Sequence, residues 1–267
     1  MSQPCARLRA CSRGVRWPIP IGVFAAMSCG GAAFGQSITN LGVHPISGQP
    51  VRPTAVSDDG AVVAAGVHDG VALHAVRWTS VGGMQDLGVA PGSAHSFGNA
   101  VSGDGSVIVG DEHGGPYGGG AFVWTSAGGL QGLAPALGWV TSYVTGVSGD
   151  GVTVVGHGQA ANGSFHAYSW TSAGGMQLLD PLGVLGDELP AGVNRDASVV
   201  VGSHYFGRAF RWSSIGGAQD LGSFPGHSHA QAFDTSDDGA VVVGSSGTWT
   251  SSTGWAYLHA FRWTAGG

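Results

Sequence analysis

Five copies of one motif fill most of this chain. The clearest core reads Arg-Trp-Thr-Ser-x-Gly-Gly-x-Gln-x-Leu, centred on Trp78, Trp124, Trp170, Trp212 and Trp263, with steps of 46, 46, 42 and 51 residues. A fixed period in the forties is the signature of one supersecondary unit repeated along the chain. Each copy buries its apolar face only by stacking on its neighbours. The repeat therefore constrains the fold strongly and leaves the ligand open.

Glycine makes up 50 of the 267 residues. Scattered, that content would suit a flexible coil, but here the glycines are periodic and alternate with β-branched runs. Those runs, Val62–Ala65, Val107–Val109, Val152–Val155, Val199–Val201 and Val241–Val243, read as strands. Most follow a tight-turn signal such as Ser57-Asp58-Asp59-Gly60 or Ser102-Gly103-Asp104-Gly105, in which Gly takes positive φ and Asp tolerates it. The fourth unit departs, with Asn194-Arg195-Asp196-Ala197. Two further strands flank the Gly-Gly pair, so each unit is expected to be a four-stranded meander: A up to the turn, B the valine run, C the segment ending at Trp, D the Met-Gln-Asp-Leu segment. From each of the first four Trp residues to the next turn is 24 residues, whereas the B-to-C connection varies. Variable loops confined to one connection of a constant unit are how a rigid scaffold carries recognition.

Four-stranded units of this length predict an all-β fold, a five-bladed β-propeller of antiparallel blades. Unit five stops at Ala265-Gly266-Gly267, where its strand D should begin, and Ile38-Thr39-Asn40-Leu41-Gly42 matches Met84-Gln85-Asp86-Leu87-Gly88. The expectation is a ring closed by that N-terminal strand; the alternative is an open β-repeat or solenoid array. A second expectation comes from covariation. Arg77 accompanies Asp86 and Arg211 accompanies Asp220, while Val123 and Ser169 accompany Gly132 and Leu178. A two- or four-residue loop would place these positions directly opposite, as cross-strand ion pairs.

Residues 1–35 read as a secretory signal peptide: Arg7, Arg9, Arg13 and Arg16, an apolar stretch from about Trp17 to Phe34, and Ala33-Phe34-Gly35 before Gln36. Residues 36–267 form the single repeat domain. Cys5, Cys11 and Cys29 all fall in the leader, so no disulfide is expected. The chain has no lysine, and the mature part keeps six arginines against 16 acidic residues, a net charge of −10. That balance argues against nucleic acid and anionic lipid as partners. No later apolar run is long enough to span a bilayer. The location implied is exported: extracellular, cell surface or periplasmic.

The triplets His74-Ala75-Val76, His166-Ala167-Tyr168 and His259-Ala260-Phe261, each followed by Trp, together with the Ser-x-Asp-Gly-x-Val-Val-Val-Gly segments, resemble the repeat of the HAF family of bacterial extracellular repeat proteins. The resemblance covers nearly all of residues 37–267. Two units depart, with Gly120-Ala121-Phe122 and Arg208-Ala209-Phe210. It implies export and a repeat fold, and carries over no reaction and no catalytic residue.

Chemistry is sparse. No cysteine follows the leader, and neither Gly-x-Ser-x-Gly nor His-Glu-x-x-His occurs. The carboxylate clusters Asp111-Glu112 and Asp187-Glu188 are candidates for a glycosidase pair, which needs two carboxylates facing one sugar; solvated loop acids are the plainer reading. The turn aspartates read as turn formers rather than calcium ligands. All 11 histidines lie in B–C loops, at the start of strand C or in D-to-A connectors. They read as caps of glycine-rich loops rather than as zinc or copper ligands. Loop aromatics could stack on sugars or anchor a protein. The candidate binding residues are Trp249, Trp255, Tyr257, Tyr117, Phe165, Tyr205, His95 and His229. Catalytic residues, metal and cofactor are not expected. The function read from the sequence is a binding module whose partner is a surface protein or a polysaccharide. The alternatives are a carbohydrate-active enzyme or lectin, and a purely structural envelope protein.

Overall fold

The computed structural model describes residues 38–114, 119–133, 138–179, 187–204, 207–250 and 254–266, with backbone alone for 254–257. The leader, Tyr117 and Tyr205 lie outside the described residues. Asn40–Gly267 forms one compact unit.

The described residues are all β. The first sheet is β1 (Val51–Val56), β2 (Val62–His68), β3 (Leu73–Thr79) and β4 (Gly83–Gly88). The second is β5 (His95–Val101), β6 (Val107–His113), β7 (Gly119–Thr125) and β8 (Gly129–Leu133). The third is β9 (Trp139–Val147), β10 (Val154–Ala160), β11 (Phe165–Thr171) and β12 (Gly175–Leu178). The fourth is β13 (Glu188–Val193), β14 (Val199–His204), β15 (Arg208–Ser213) and β16 (Gly217–Gly222). The fifth is β17 (His229–Thr235), β18 (Val241–Thr250) and β19 (Gly254–Thr264). Each sheet is an antiparallel meander in chain order, as the unit pattern predicts. The fifth has three strands where four were expected. Residues 38–44 are in no strand, so the closing pairing expected with the strand ending at Trp263 is not formed, and β19 pairs with β18 alone among the described residues.

The A-to-B turns repeat one hydrogen-bond pattern. In the second unit the Ser102 hydroxyl donates to Asp104 at 2.7 Å, Asp104 accepts the Ser106 N–H at 2.9 Å, and Ser102 Oγ accepts the Val107 N–H at 3.0 Å. In the divergent fourth unit Asn194 Oδ1 accepts the Val199 N–H at 2.8 Å, and Ala197 takes the left-handed conformation (φ 57°) that glycine holds elsewhere. These turns are laced together across sheets. Asp58 N–H donates to Gly103 O, Gly103 N–H to Gly149 O, Asp150 N–H to Arg195 O, and Arg195 N–H to Asp237 O.

Strand C meets strand D through a three-residue connection: Thr79 pairs with Gly83, which sits at φ 65°. This corrects the expected register. An odd loop places Arg77 opposite Gln85, and Asp86 opposite Val76, so Arg77 and Asp86 lie on opposite faces. The proposed ion pair does not form. Asp86 instead accepts from His74 Nδ1 at 2.9 Å, and Asp220 pairs with Arg208, the residue equivalent to His74. Arg77 and Arg211 turn to the next sheet, where their guanidinium carbons lie 5.6 Å and 6.0 Å from the ring centroids of Trp124 and Trp263.

The core lies between sheets rather than within one. Val62, Ala64, Ala75 and Leu87 of the first pack on Ile108, Phe122 and Trp124 of the second. Equivalent clusters join second to third, third to fourth and fourth to fifth. The A strands of the second to fifth sheets and Asp58 of the first A-to-B turn line one cavity of about 340 Å³, bordered also by Val101, Val147, Val193 and Thr235. Arg195 Nη1 reaches Asp58 at 3.1 Å, linking the fourth turn to the first.

Candidate functional site: the loop face

The two ends of this arrangement differ in chemistry. One carries the short A-to-B turns just described. Their aspartates Asp59, Asp104, Asp196 and Asp238 hold their carboxyls below the usual range, because hydrogen bonds from neighbouring hydroxyls, amides and backbone N–H groups favour the ionised form. Those carboxylates serve the turn itself.

The other end gathers the B-to-C connections and the D-to-A connectors. Ala94 N–H donates to His113 O, Ala230 N–H to Gly207 O, and Phe224 N–H to Ser246 Oγ at 3.2 Å. The histidines singled out in the sequence lie here, and His95 ties the second sheet to the first. His95 Nδ1 accepts the Leu73 N–H at 3.1 Å. His227 lies 3.1 Å from Ser246 Oγ and its ring centroid is 5.1 Å from that of His259. His229 bonds Ser228 at 2.6 Å, and His166 stacks on Trp139 at 6.2 Å with 6° between planes. His44 is buried against the first sheet, with Nε2 3.3 Å from Asp86 and Nδ1 2.8 Å from Ser47 Oγ. Among the described residues no group of three or more His, Cys, Asp or Glu is arranged to hold a metal.

Phe165 is half-buried and meets the His157 ring at 5.5 Å, edge-on; His157 in turn lies 5.4 Å from Tyr143. His157 Nδ1 has no hydrogen-bond partner among the described residues, and burial lowers its pKa to about 4. The sequence explains the orphan. One sheet earlier the equivalent residue is Asp111, which accepts the Val144 N–H at 2.8 Å and the Asn99 amide at 2.8 Å. Val144 pairs with Gly156, and the residue pairing with Gly202 one sheet later is Pro190, which has no N–H to donate.

The candidate acids do not converge. Asp111 and Glu112 are neighbours on β6 and point to opposite faces, Asp111 to the third sheet and Glu112 back to Ser93 at 3.0 Å. Burial raises both pKa values. Glu188 is buried on β13 in the fourth sheet. Asp111 fastens the second sheet to the third, while Glu112 anchors the connector that leads into its own sheet.

The longest B-to-C connection forms structure that propensity alone did not indicate. β18 and β19 extend past the body of the fifth sheet as a ribbon, with Trp249 paired to Trp255 and Thr250 to Gly254. Trp249 is half-exposed. Of Trp255 and Tyr257 the backbone is described, and both lie on β19. Alternation of Thr248, Trp249 and Thr250 with Gly254, Trp255 and Ala256 was the available signal.

Solved structures share this architecture. A putative TolB from Agrobacterium tumefaciens matches with a TM-score of 0.53 at 16% identity, covering 81% of this chain and 82% of that one. TolB from Acinetobacter baumannii matches at 0.50 and 14%, covering 80% and 55%. A prolyl endopeptidase matches at 0.53 and 10%, covering 82% of this chain and 36% of its own. The fold is of the β-propeller type. At these identities the likeness speaks for fold alone. No protein-family model and no curated protein matches the chain. Among the described residues no helix is long and apolar enough to cross a membrane.

Proposed function

We propose that this chain is an exported binding module of the HAF-repeat type, a five-bladed propeller that recognises a surface protein or polysaccharide through its loop face. The carrying observation is the ribbon of β18 and β19. It is the longest variable connection, it stands on the loop face, and it places Trp249 half-exposed beside a row of hydroxyl residues. Aromatic faces next to hydroxyls suit sugar stacking and protein anchoring alike. The repeat supports the reading from the other side: the turn end is laced by backbone hydrogen bonds, while the loop end carries the variation in length.

Engagement of Asp111 with the backbone of the next sheet, of Glu112 with Ser93, and burial of Glu188 weigh against the alternative of a carbohydrate-active enzyme. A glycan array followed by titration calorimetry on the best polysaccharide tests the proposal. Trp249→Ala should weaken binding about two- to tenfold, as loss of one stacking contact of ~0.5–1.5 kcal/mol implies, with the melting temperature unchanged. Binding that survives this change and Trp255→Ala, yet is lost on altering Asp58 or Asp237 in the short turns, would place the site on the opposite face.

A further inference from the structure

The hairpin tip that joins β10 to β11 on the loop face carries the pair Asn162-Gly163. We propose that it is a site of self-modification, where Asn162 exchanges its amide for a carboxylate without an enzyme and Ser164 is the positioning residue for the step.

An asparagine side chain can close on the next backbone nitrogen to form a five-membered imide. A side chain on the following residue hinders that approach, and glycine has none. The chain has four asparagines, and Asn162 alone precedes a glycine; Asn40, Asn99 and Asn194 precede Leu41, Ala100 and Arg195. Asn162 and Gly163 are exposed. Asn194 is buried, and the Asn99 amide is held by Asp111 and the Val144 carbonyl.

The turn prepares the electrophile. Asn162 Oδ1 accepts the Ser164 N–H at 3.0 Å and the Ser164 hydroxyl at 2.7 Å. That hydroxyl has one hydrogen, given to Oδ1, so in its 2.9 Å contact with His166 Nε2 the imidazole N–H donates. A relay runs from His166 through Ser164 to the amide oxygen. The oxygen gains negative charge when its carbon is attacked, and two donors already aimed at it act as an oxyanion hole does. The nucleophile is tied by the bond from Gly163 N–H to Ala160 O at 2.9 Å. Local opening of an exposed hairpin tip, which lies at the low end of native-state free energies, releases it. Hydroxide takes the proton from the Gly163 nitrogen, which bonds to Asn162 Cγ. The Cγ–Nδ2 bond breaks, and ammonia leaves with a proton from water. A second water opens the imide: cleavage at Cγ leaves aspartate, and cleavage at the Asn162 main-chain carbonyl leaves isoaspartate. Nothing is oxidised or reduced.

The fold already contains a copy of the aspartate product. Asp104-Gly105-Ser106 makes the same turn: Asp104 Oδ1 accepts the Ser106 N–H at 2.9 Å and the Ser106 hydroxyl at 2.8 Å. Gly105 N–H donates to Ser102 O at 2.9 Å, as Gly163 N–H does to Ala160 O, and the two glycines sit at φ 71° and 89°. An aspartate at position 162 therefore fits the turn as it stands. Isoaspartate, with one more backbone carbon, does not. Either product adds a negative charge beside His166, whose ring stacks on Trp139, and so changes the electrostatics of the loop face as the protein ages.

The test is mass spectrometry of the full chain incubated at mildly alkaline pH. Peptide mapping should show the amide-to-acid mass shift growing at Asn162, as both aspartate and isoaspartate, with ammonia released in step, while Asn40, Asn99 and Asn194 stay amides. Asn162→Gln should abolish the shift, because its imide would need a larger ring. Ser164→Ala should slow it about two- to tenfold, the effect of one hydrogen bond lost from the reacting carbonyl, and Ser164→Thr should restore the parent rate. Asn162→Asp should keep the parent melting temperature. A folded parent whose Asn162 stays an amide as long as Asn99 does overturns the proposal. A Ser164→Ala chain that converts as fast as the parent also overturns it, because Asn-Gly alone would then suffice. Conversion requires no ligand, so a chain that converts but binds no glycan or protein would refute the functional reading alone.

Discussion

Two glycines on facing strands of the third sheet should respond oppositely to the same methyl group. Gly156 on β10 pairs with Tyr168 on one side and Val144 on the other. A Cβ built there overlaps the Tyr143 carbonyl oxygen and lies 2.7 Å from the Tyr168 hydroxyl, which is itself bonded to that carbonyl at 3.2 Å. The obstacle is backbone plus a fully buried ring, so no side-chain rotation relieves it. Overpacking costs about 1–3 kcal/mol, and a backbone clash belongs at the upper end, about 3 kcal/mol. At ~2–4 °C per kcal/mol for a domain of this size, Gly156→Ala should lower Tm by about 6–12 °C. Gly146 on β9 is different. Its added methyl meets Val193 Cγ1 at 3.5 Å and Val155 Cγ2 at 3.6 Å, ordinary van der Waals distances, and its φ is not positive. Gly146→Ala should therefore be neutral or raise stability by about 0.4–1 kcal/mol through the less disordered unfolded chain. The first sheet already carries Ala65 at the Gly156 position, facing Val76 in place of a ring, so Tyr168→Val added to Gly156→Ala should recover part of the loss. Thermal unfolding followed by tryptophan fluorescence and circular dichroism reads all three. A Gly156→Ala chain as stable as the parent, or a Gly146→Ala chain equally damaged, would refute the packing argument.

Two further outcomes follow from buried polar groups. His157 titrates near 4 when folded against a usual 6.5, so the unfolded chain takes up a proton that the folded chain refuses; stability is full above pH 6.5 and falls by about 3 kcal/mol as pH drops toward 4. Burial of Asp111 and Glu112 acts in the opposite sense over the acid range, so the contrast is clearest by difference: His157→Phe should flatten the Tm-versus-pH curve between pH 6.5 and 4, and an unchanged curve would exclude His157 as its cause. Ser102→Ala removes the acceptor of the Val107 N–H inside a sealed turn and should cost about 1–3 kcal/mol in denaturant titration, while Ser102→Asn should keep most of the stability because Asn194 makes the same bond in the fourth unit.

The repeat, the strand order and the turns were legible in the sequence because each depends on residues close together in the chain. A Ser-x-Asp-Gly turn bonds within five positions, and an alternating valine run needs only its own pleat. Even the unfilled edge of the fifth unit could be counted from the motif. What tertiary structure decided are matters of parity and neighbourhood. Whether three or four residues join Thr79 to Gly83 changes the register by one, and that turns Arg77 away from Asp86 and onto Trp124 of the next sheet. Asp111 looked like a free loop acid, yet it binds the backbone of Val144, 33 residues on. His157 is an orphan only because Pro190, in a different sheet, offers no N–H at the position where Val144 offers one. Contacts of this kind depend on how separate sheets lie face to face, and no local pattern encodes the angle between them.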